Sequence, residues 1–277
     1  MRVSELISVQ ALAQCHENED VLVMDCRFAL ADPAAGESHY RASHIPGSFY
    51  LHLDRDLSGE KGPHGGRHPL PTPEAFTATL SALGVNSEPP TLVVAYDDSG
   101  FAFAARLWWL LRYFGHDRVK VLDGGFHAWR EAGLPESAAP PKLAGPGNFV
   151  ARPRPERVVD ARQVEAARGQ PGVALIDSRE APRFLGLEEP IDPVAGHIQG
   201  ALNYPWREAS RADGTLRSPD EQRGRWGEAA REQDIIVYCG SGVTACVNLL
   251  SLAEIGRDDA KLYAGSWSDW CSYPELL

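Results

Sequence analysis

The stretch Asp234–Leu249, DIIVYCGSGVTACVNL, sets a cysteine where it can react. Ile235–Tyr238 is short, apolar and rich in β-branched residues, the pattern of a buried strand. Cys239 follows it directly. Gly240, Ser241 and Gly242 cannot continue a strand and give a tight, permissive turn. From Val243 to Leu252 apolar residues recur at helical spacing. The thiol is therefore expected between a strand end and a helix start. Loop N–H groups can turn inward around an anion there, and the helix N-terminus adds partial positive charge. Both favour a thiolate and would lower a cysteine pKa below its free value of about 8.5. Burial as core is the commoner fate of a single cysteine, but a packed side chain has no use for a Gly-Ser-Gly turn beside it.

The rest of the chain is built to hold such a loop. At 277 residues it can bury a substantial core, and two domains are expected. Lys and Arg number 27 against 38 Asp and Glu, a net charge of −11, which argues against nucleic acid or an anionic membrane as partner. No apolar run approaches the length of a membrane span. Glu5 interrupts the apolar N-terminal stretch that an export signal would need, so a cytoplasmic location is expected. Five cysteines, with no CxxC pair and no zinc spacing, suit a reducing compartment with a free thiol, and no metal or organic cofactor is indicated.

Val3–Cys15 reads as a helix and Val21–Cys26 as a buried strand. Thr91–Tyr96 and Val119–Leu122 read as further strands, with helices over Pro73–Leu83 and Phe101–Phe114. Gly59–Pro73, dense in Gly, Pro and basic groups, reads either as a solvated connection or as a rim over an anion site using Arg67 and His68. Prolines through Gly133–Glu156 mark an extended linker. The second half then repeats the first. Asp25-Cys26-Arg27 recurs as Asp177-Ser178-Arg179, and His44-Ile45-Pro46-Gly47 as His197-Ile198-Gln199-Gly200. Tyr96-Asp97-Asp98-Ser99-Gly100 recurs as Tyr238-Cys239-Gly240-Ser241-Gly242, and Leu122–Trp129 as Tyr263–Trp270. Strands alternating with helices in both copies predict two α/β domains, each a mainly parallel sheet with helices on both faces. The expected division is 1–137, a Pro-rich linker over 138–155, and 156–277. Asp97 stands in the place of Cys239, and a carboxylate cannot replace a thiol nucleophile, so the first domain is expected to be catalytically silent.

The loop Cys239–Thr244, CGSGVT, resembles the active-site loop of the rhodanese-type sulfurtransferases, and most of all that of the branch acting on 3-mercaptopyruvate. With the repeat, the resemblance covers essentially the whole chain. It implies two tandem rhodanese-like domains and a sulfur atom carried as a persulfide on Cys239. Gly240, Ser241, Gly242, Val243 and Thr244 would cradle the sulfur and the donor, although Thr244 fits a helix N-cap at least as well. The family's substrate-binding arginine falls on Arg183, whose forked donors match a carboxylate or a thiosulfate oxygen. Arg179 is expected to tie the domains or nearby loops together by ion pairs. A second arginine found in relatives falls on Asp192, so a second cation would have to come from elsewhere, and Arg67 is a candidate. Neutral Gly240 and Ser241, where thiosulfate-preferring relatives carry cations, favour a monocarboxylate donor. The resemblance pairs a first-domain histidine with the loop serine in a proton relay, which places His44 beside Ser241; a histidine bonded within its own turn is the equal alternative.

The activity implied is transfer of sulfane sulfur from 3-mercaptopyruvate to a thiol or to cyanide, with thioredoxin and glutathione among the acceptors. Thiosulfate as donor is the first alternative. A persulfide carrier or interaction module without turnover is the second. A cysteine phosphatase would need an arginine where Ala245 stands.

Overall fold

The computed structural model describes residues 4–143 and 145–277. They form two compact units. The first comprises Met1–Gly59, Pro71–Arg154 and Ala212–Thr215; the second comprises Glu60–Leu70, Pro155–Arg211 and Leu216–Leu277.

In the first unit the strands are β1 (Leu6–Ile7), β2 (Val21–Asp25), β3 (Phe49–Tyr50), β4 (Leu92–Tyr96) and β5 (Val119–Leu122). In the second they are β6 (Val158–Val159), β7 (Val173–Asp177), β8 (Leu202–Asn203), β9 (Asp234–Tyr238) and β10 (Lys261–Tyr263). Both sheets are wholly parallel, in the order β1-β5-β4-β2-β3 and β6-β10-β9-β7-β8. The repeat read in the sequence is thus a repeat of topology, strand for strand. Even the register agrees: Asp25 lies opposite Tyr96, and Asp177 opposite Tyr238. The central strands β4 and β9 are buried along nearly their whole length, which requires cover on both faces of each sheet. One face of the second sheet packs Leu175, Ile236, Tyr238 and Tyr263 against Trp267 and Trp270. Its counterpart in the first unit packs Val23, Val94, Tyr96 and Leu122 against Phe126 and Trp129.

The Asp-x-Arg motifs are buried clasps. Arg27 donates to both oxygens of Asp25 and to the Ser43 carbonyl at 2.6 Å; Arg179 does the same to Asp177 and to the Gly196 carbonyl at 2.6 Å. Each guanidinium also lies over an aromatic ring, Phe126 or Trp267. A buried charge persists only when so fully satisfied, and each clasp fixes the turn ahead of β3 or β8 onto its sheet.

Three local differences from the sequence reading have physical causes. Within the segment read as a helix from Val3, β1 comes first, and the helix Val9–Cys15 starts only after Ser8, whose hydroxyl accepts from the Ala11 N–H; Val3 lies outside the described residues. The prolines of 138–154 do not make an extended linker. That stretch straps the first unit: Phe149 is buried, its N–H bonds the Val85 carbonyl, and Arg152 and Arg154 bond the Phe114 and Tyr113 carbonyls. Third, Glu60–Leu70 belongs with the second unit. Among the described residues no helix is long and apolar enough to cross a membrane.

Candidate active site

Strand β9 delivers Cys239 to the carboxyl end of the second sheet, and the helix Ala245–Glu254 begins six residues on. The thiol-bearing residue is 2% exposed. Gly242 adopts φ +77°, and a Cβ there would lie 2.2 Å from the Ala264 carbonyl, so only glycine fits. The back of the loop is pinned by the segment after β10. Trp267 N–H donates to the Cys239 carbonyl at 3.0 Å and Ser268 N–H to the Gly240 carbonyl at 2.9 Å. The Cys239 N–H donates to Ser266 Oγ at 3.1 Å. Val243 is buried. Thr244 occupies the N-cap position, but in helical backbone and without a side-chain capping bond.

The segment Glu60–Leu70 is exposed from Glu60 to His64 but is fastened to this loop's support from His64 onward. Gly65 N–H donates to Asp269 Oδ1 at 2.7 Å and Arg67 N–H to Ser268 Oγ at 3.1 Å, while the His64 ring stacks on Tyr273. These bonds carry two side chains to the cysteine loop. His68 Nδ1 is 2.8 Å from Ser241 Oγ, with both residues buried. The Arg67 guanidinium reaches Gly240: a Cβ on that glycine would lie 2.9 Å from Arg67 Nη2 and 3.4 Å from Arg183 Nη1. Gly240 is neutral for a steric reason, since two guanidiniums fill the space a side chain would take.

The histidine bonded to Ser241 is His68, and of the two readings left open for His44 the bonds it makes are those of a histidine held within its own turn. His44 is buried in the first unit with Nδ1 2.6 Å from the Tyr40 carbonyl and Nε2 3.0 Å from the Ala139 carbonyl, and its ring stacks on Tyr40. It fastens its own turn.

Arg183 sits on the short helix Ala181–Phe184. Its Nη2 donates to Glu189 Oε1 at 2.7 Å and to Asp192 Oδ2 at 3.0 Å. The other oxygen of Asp192 accepts from Arg67. Glu189 also pairs with Arg179 at 3.2 Å. Arg179 thus ties nearby loops of its own unit. Burial pushes the Asp192 carboxyl above its ordinary value, against the pull of Arg67 and Arg183. Burial acts the same way on Glu189, but there the Asp192 N–H and the Arg183 guanidinium win and hold it below the usual value. The departure at position 192 is thereby accounted for: the aspartate, wedged between two arginines, brings Arg67 alongside Arg183.

Sequence reasoning missed Ser266, Glu189 and the part played by Asp192. A signal existed for Ser266. It replaces Gly125 of the first repeat at a positive φ, +56° against +59°, and a polar residue standing where the twin motif needs glycine is a mark of function. No comparable signal marks Glu189, one acidic residue in an irregular loop.

The model of the rhodanese-like domain matches this chain twice, over residues 8–132 and 160–273. The chain belongs to the rhodanese family. The chain is 44% identical over 280 residues to a probable 3-mercaptopyruvate sulfurtransferase of Pseudomonas aeruginosa, covering 99% of this chain and 97% of that protein. It is 37% identical to the putative thiosulfate sulfurtransferase SseB of Mycobacterium tuberculosis, over 97% and 94% of the two chains. Its fold matches the crystal structure of the 3-mercaptopyruvate sulfotransferase SseA from Escherichia coli with a TM-score of 0.84 and 34% identity, covering 96% of this chain and all of that one. It is a tandem-domain rhodanese-type sulfurtransferase.

Proposed function

We propose that this protein takes sulfane sulfur from 3-mercaptopyruvate onto Cys239 and passes it to a thiol or to cyanide. The observation that carries the reading is the convergence at Gly240: a buried thiol, two guanidiniums over the loop glycine, and a hydroxyl–imidazole pair beside them. Arg183 Nη1 and Arg67 Nη2, the terminal nitrogens facing Gly240, offer charged N–H donors to the donor's carboxylate. The Cys239 thiolate attacks the mercaptopyruvate sulfur. The S–S bond forms as the C–S bond breaks, and the electron pair leaves on carbon as the enolate of pyruvate. The proton of the donor's thiol ends on that carbon, giving pyruvate and a persulfide anion on Cys239. Ser241, hydrogen-bonded to His68, is placed to relay it. Loop N–H groups and the helix start favour the persulfide anion. An acceptor thiolate or cyanide then attacks the outer sulfur and returns Cys239 as thiolate.

Thioredoxin and glutathione are candidate acceptors. All five cysteines are free, which suits work in the reducing cytoplasm.

Intact mass after treatment with donor should show one added sulfur in the wild type and none in Cys239→Ser, whose turnover should be lost. Side-by-side kinetics with one acceptor should give a higher kcat/KM for 3-mercaptopyruvate than for thiosulfate. A clear preference for thiosulfate would overturn the donor assignment alone, and sulfur gained by Cys239→Ser would overturn the nucleophile.

A further inference from the structure

Arg67, Asp192, Arg183, Glu189, Arg179 and Asp177 form one unbroken chain of alternating charges ending over the cysteine loop. Three guanidiniums meet three carboxylates, so the chain is electrically balanced. Asp192 is the link nearest the reacting end. It is 8% exposed and gives one oxygen to each of the two arginines that face Gly240.

We propose that Asp192 sets the charge of the donor this site accepts, by neutralising one of the two cations it holds over the loop. The proposal rests on the sulfur-transfer reading and adds to it a positioning residue with an electrostatic role. Each arginine keeps a terminal nitrogen toward Gly240, Nη2 of Arg67 and Nη1 of Arg183, but with Glu189 balancing the second cation the pair carries no surplus positive charge. Beside the Cys239 thiolate, a monoanionic donor then adds one negative charge and a dianionic donor two in a partly dry environment, where each added charge is costly. Deleting the Asp192 charge helps a ligand in proportion to the ligand's own charge. A dianion therefore gains twice what a monoanion gains, and a neutral reagent gains nothing.

Two ratios measure this, and one needs no turnover. The first is the rate of Cys239 alkylation by iodoacetate over that by iodoacetamide, an anion and a neutral reagent of similar shape, read on the Cys239 peptide. The second is kcat/KM for thiosulfate over that for 3-mercaptopyruvate. Asp192→Asn keeps the side chain's shape and should raise both ratios about tenfold. Arg67→Gln removes a cation and should lower both. If Asp192 served only to anchor the Glu60–Leu70 segment, either substitution would loosen it and both variants would move the ratios the same way. That outcome, or ratios unchanged in Asp192→Asn, overturns the proposal. If the wild type turned over neither donor, the function proposed above would fall, and the alkylation ratio would still decide the role of Asp192.

Discussion

The two loops that close the central strands descend from one motif and do opposite things. In the first, the Asp97 carboxylate turns back into its own loop. Oδ1 accepts from the Ser99 and Phe101 N–H groups at 2.9 and 3.1 Å, and Oδ2 from those of Phe103 and Ala104 at 2.9 Å each. This is an anion nest filled by the chain itself. Burial still pushes the Asp97 carboxyl above its ordinary value despite those four donors. In the second loop the corresponding residue is a cysteine, whose thiolate can attack rather than fill the loop with four bonds. The surroundings differ as well. Ala31 occupies the first-repeat place of Arg183, counting from the Asp-x-Arg motifs. The first loop thus satisfies its own donors, while in the second the chemistry depends on the thiol and on which cations face it.

The comparison is broken most severely by making the second loop like the first. Cys239→Asp puts a carboxylate where Arg67, Arg183 and the loop N–H groups can all receive it. Turnover should fall by at least about a thousandfold, since nothing else supplies the nucleophile. The chain should remain folded and melt no lower than wild type, because a charged acceptor enters a ready set of donors. Circular dichroism with thermal melting checks the second half of this claim. A destabilised variant would mean that the second loop is not a nest of the Asp97 kind.

Emptying the first loop sharpens the contrast from the other side. Asp97→Ala leaves four buried N–H groups without their acceptor and should cost about 3 kcal/mol of stability in the first unit. Formate, small enough to enter the vacated space, should restore part of the loss in proportion to its concentration, as a ligand bound only by the folded form does. Alkylation of Cys239 per folded molecule should not change. Chemical denaturation with and without formate measures it, and equal formate effects in wild type and variant would refute the nest.

The sequence exposed what repeats and what breaks local rules. Four motif pairs gave the tandem architecture, and the strand–Gly-Ser-Gly–helix pattern gave Cys239 its setting, because both rest on local periodicity and turn chemistry. Arg67 and His68 could be read only as two alternatives, since what decides their role is the docking of Gly65 and Arg67 N–H groups on Asp269 and Ser268, some two hundred residues away along the chain. His44 could be read two ways for the same reason: a histidine's role depends on which acceptors reach its ring, and here they are the Tyr40 and Ala139 carbonyls. Asp192 read as a missing cation because a sequence shows the charge of a residue and not the partner it recruits.

Ser266 offers the finest test of the comparison, with the smallest expected effect. Its hydroxyl accepts the Cys239 N–H at 3.1 Å and donates to the Tyr263 carbonyl at 2.9 Å, while its backbone is held at φ +56°. Gly125 meets the same backbone demand in the first unit without strain and without a hydroxyl. Substituting Ser266→Gly relieves a left-handed conformation worth about 1 kcal/mol, but it loses both hydrogen bonds, worth about 1 kcal/mol each, and loosens the unfolded chain. The losses outweigh the relief, so stability should fall by about 1–2 kcal/mol. The Cys239 peptide group, however, loses the bond that fixes its orientation, and the thiol with it. Turnover should therefore drop about two- to fivefold, with KM for the donor unchanged because both arginines stay in place. Ser266→Ala should lose the same turnover and at least as much stability, since it keeps the strain and forfeits both bonds. Equal activity in wild type and both variants would reduce Ser266 to a packing residue, and the difference between the two loops would then lie in the cysteine and the arginines alone.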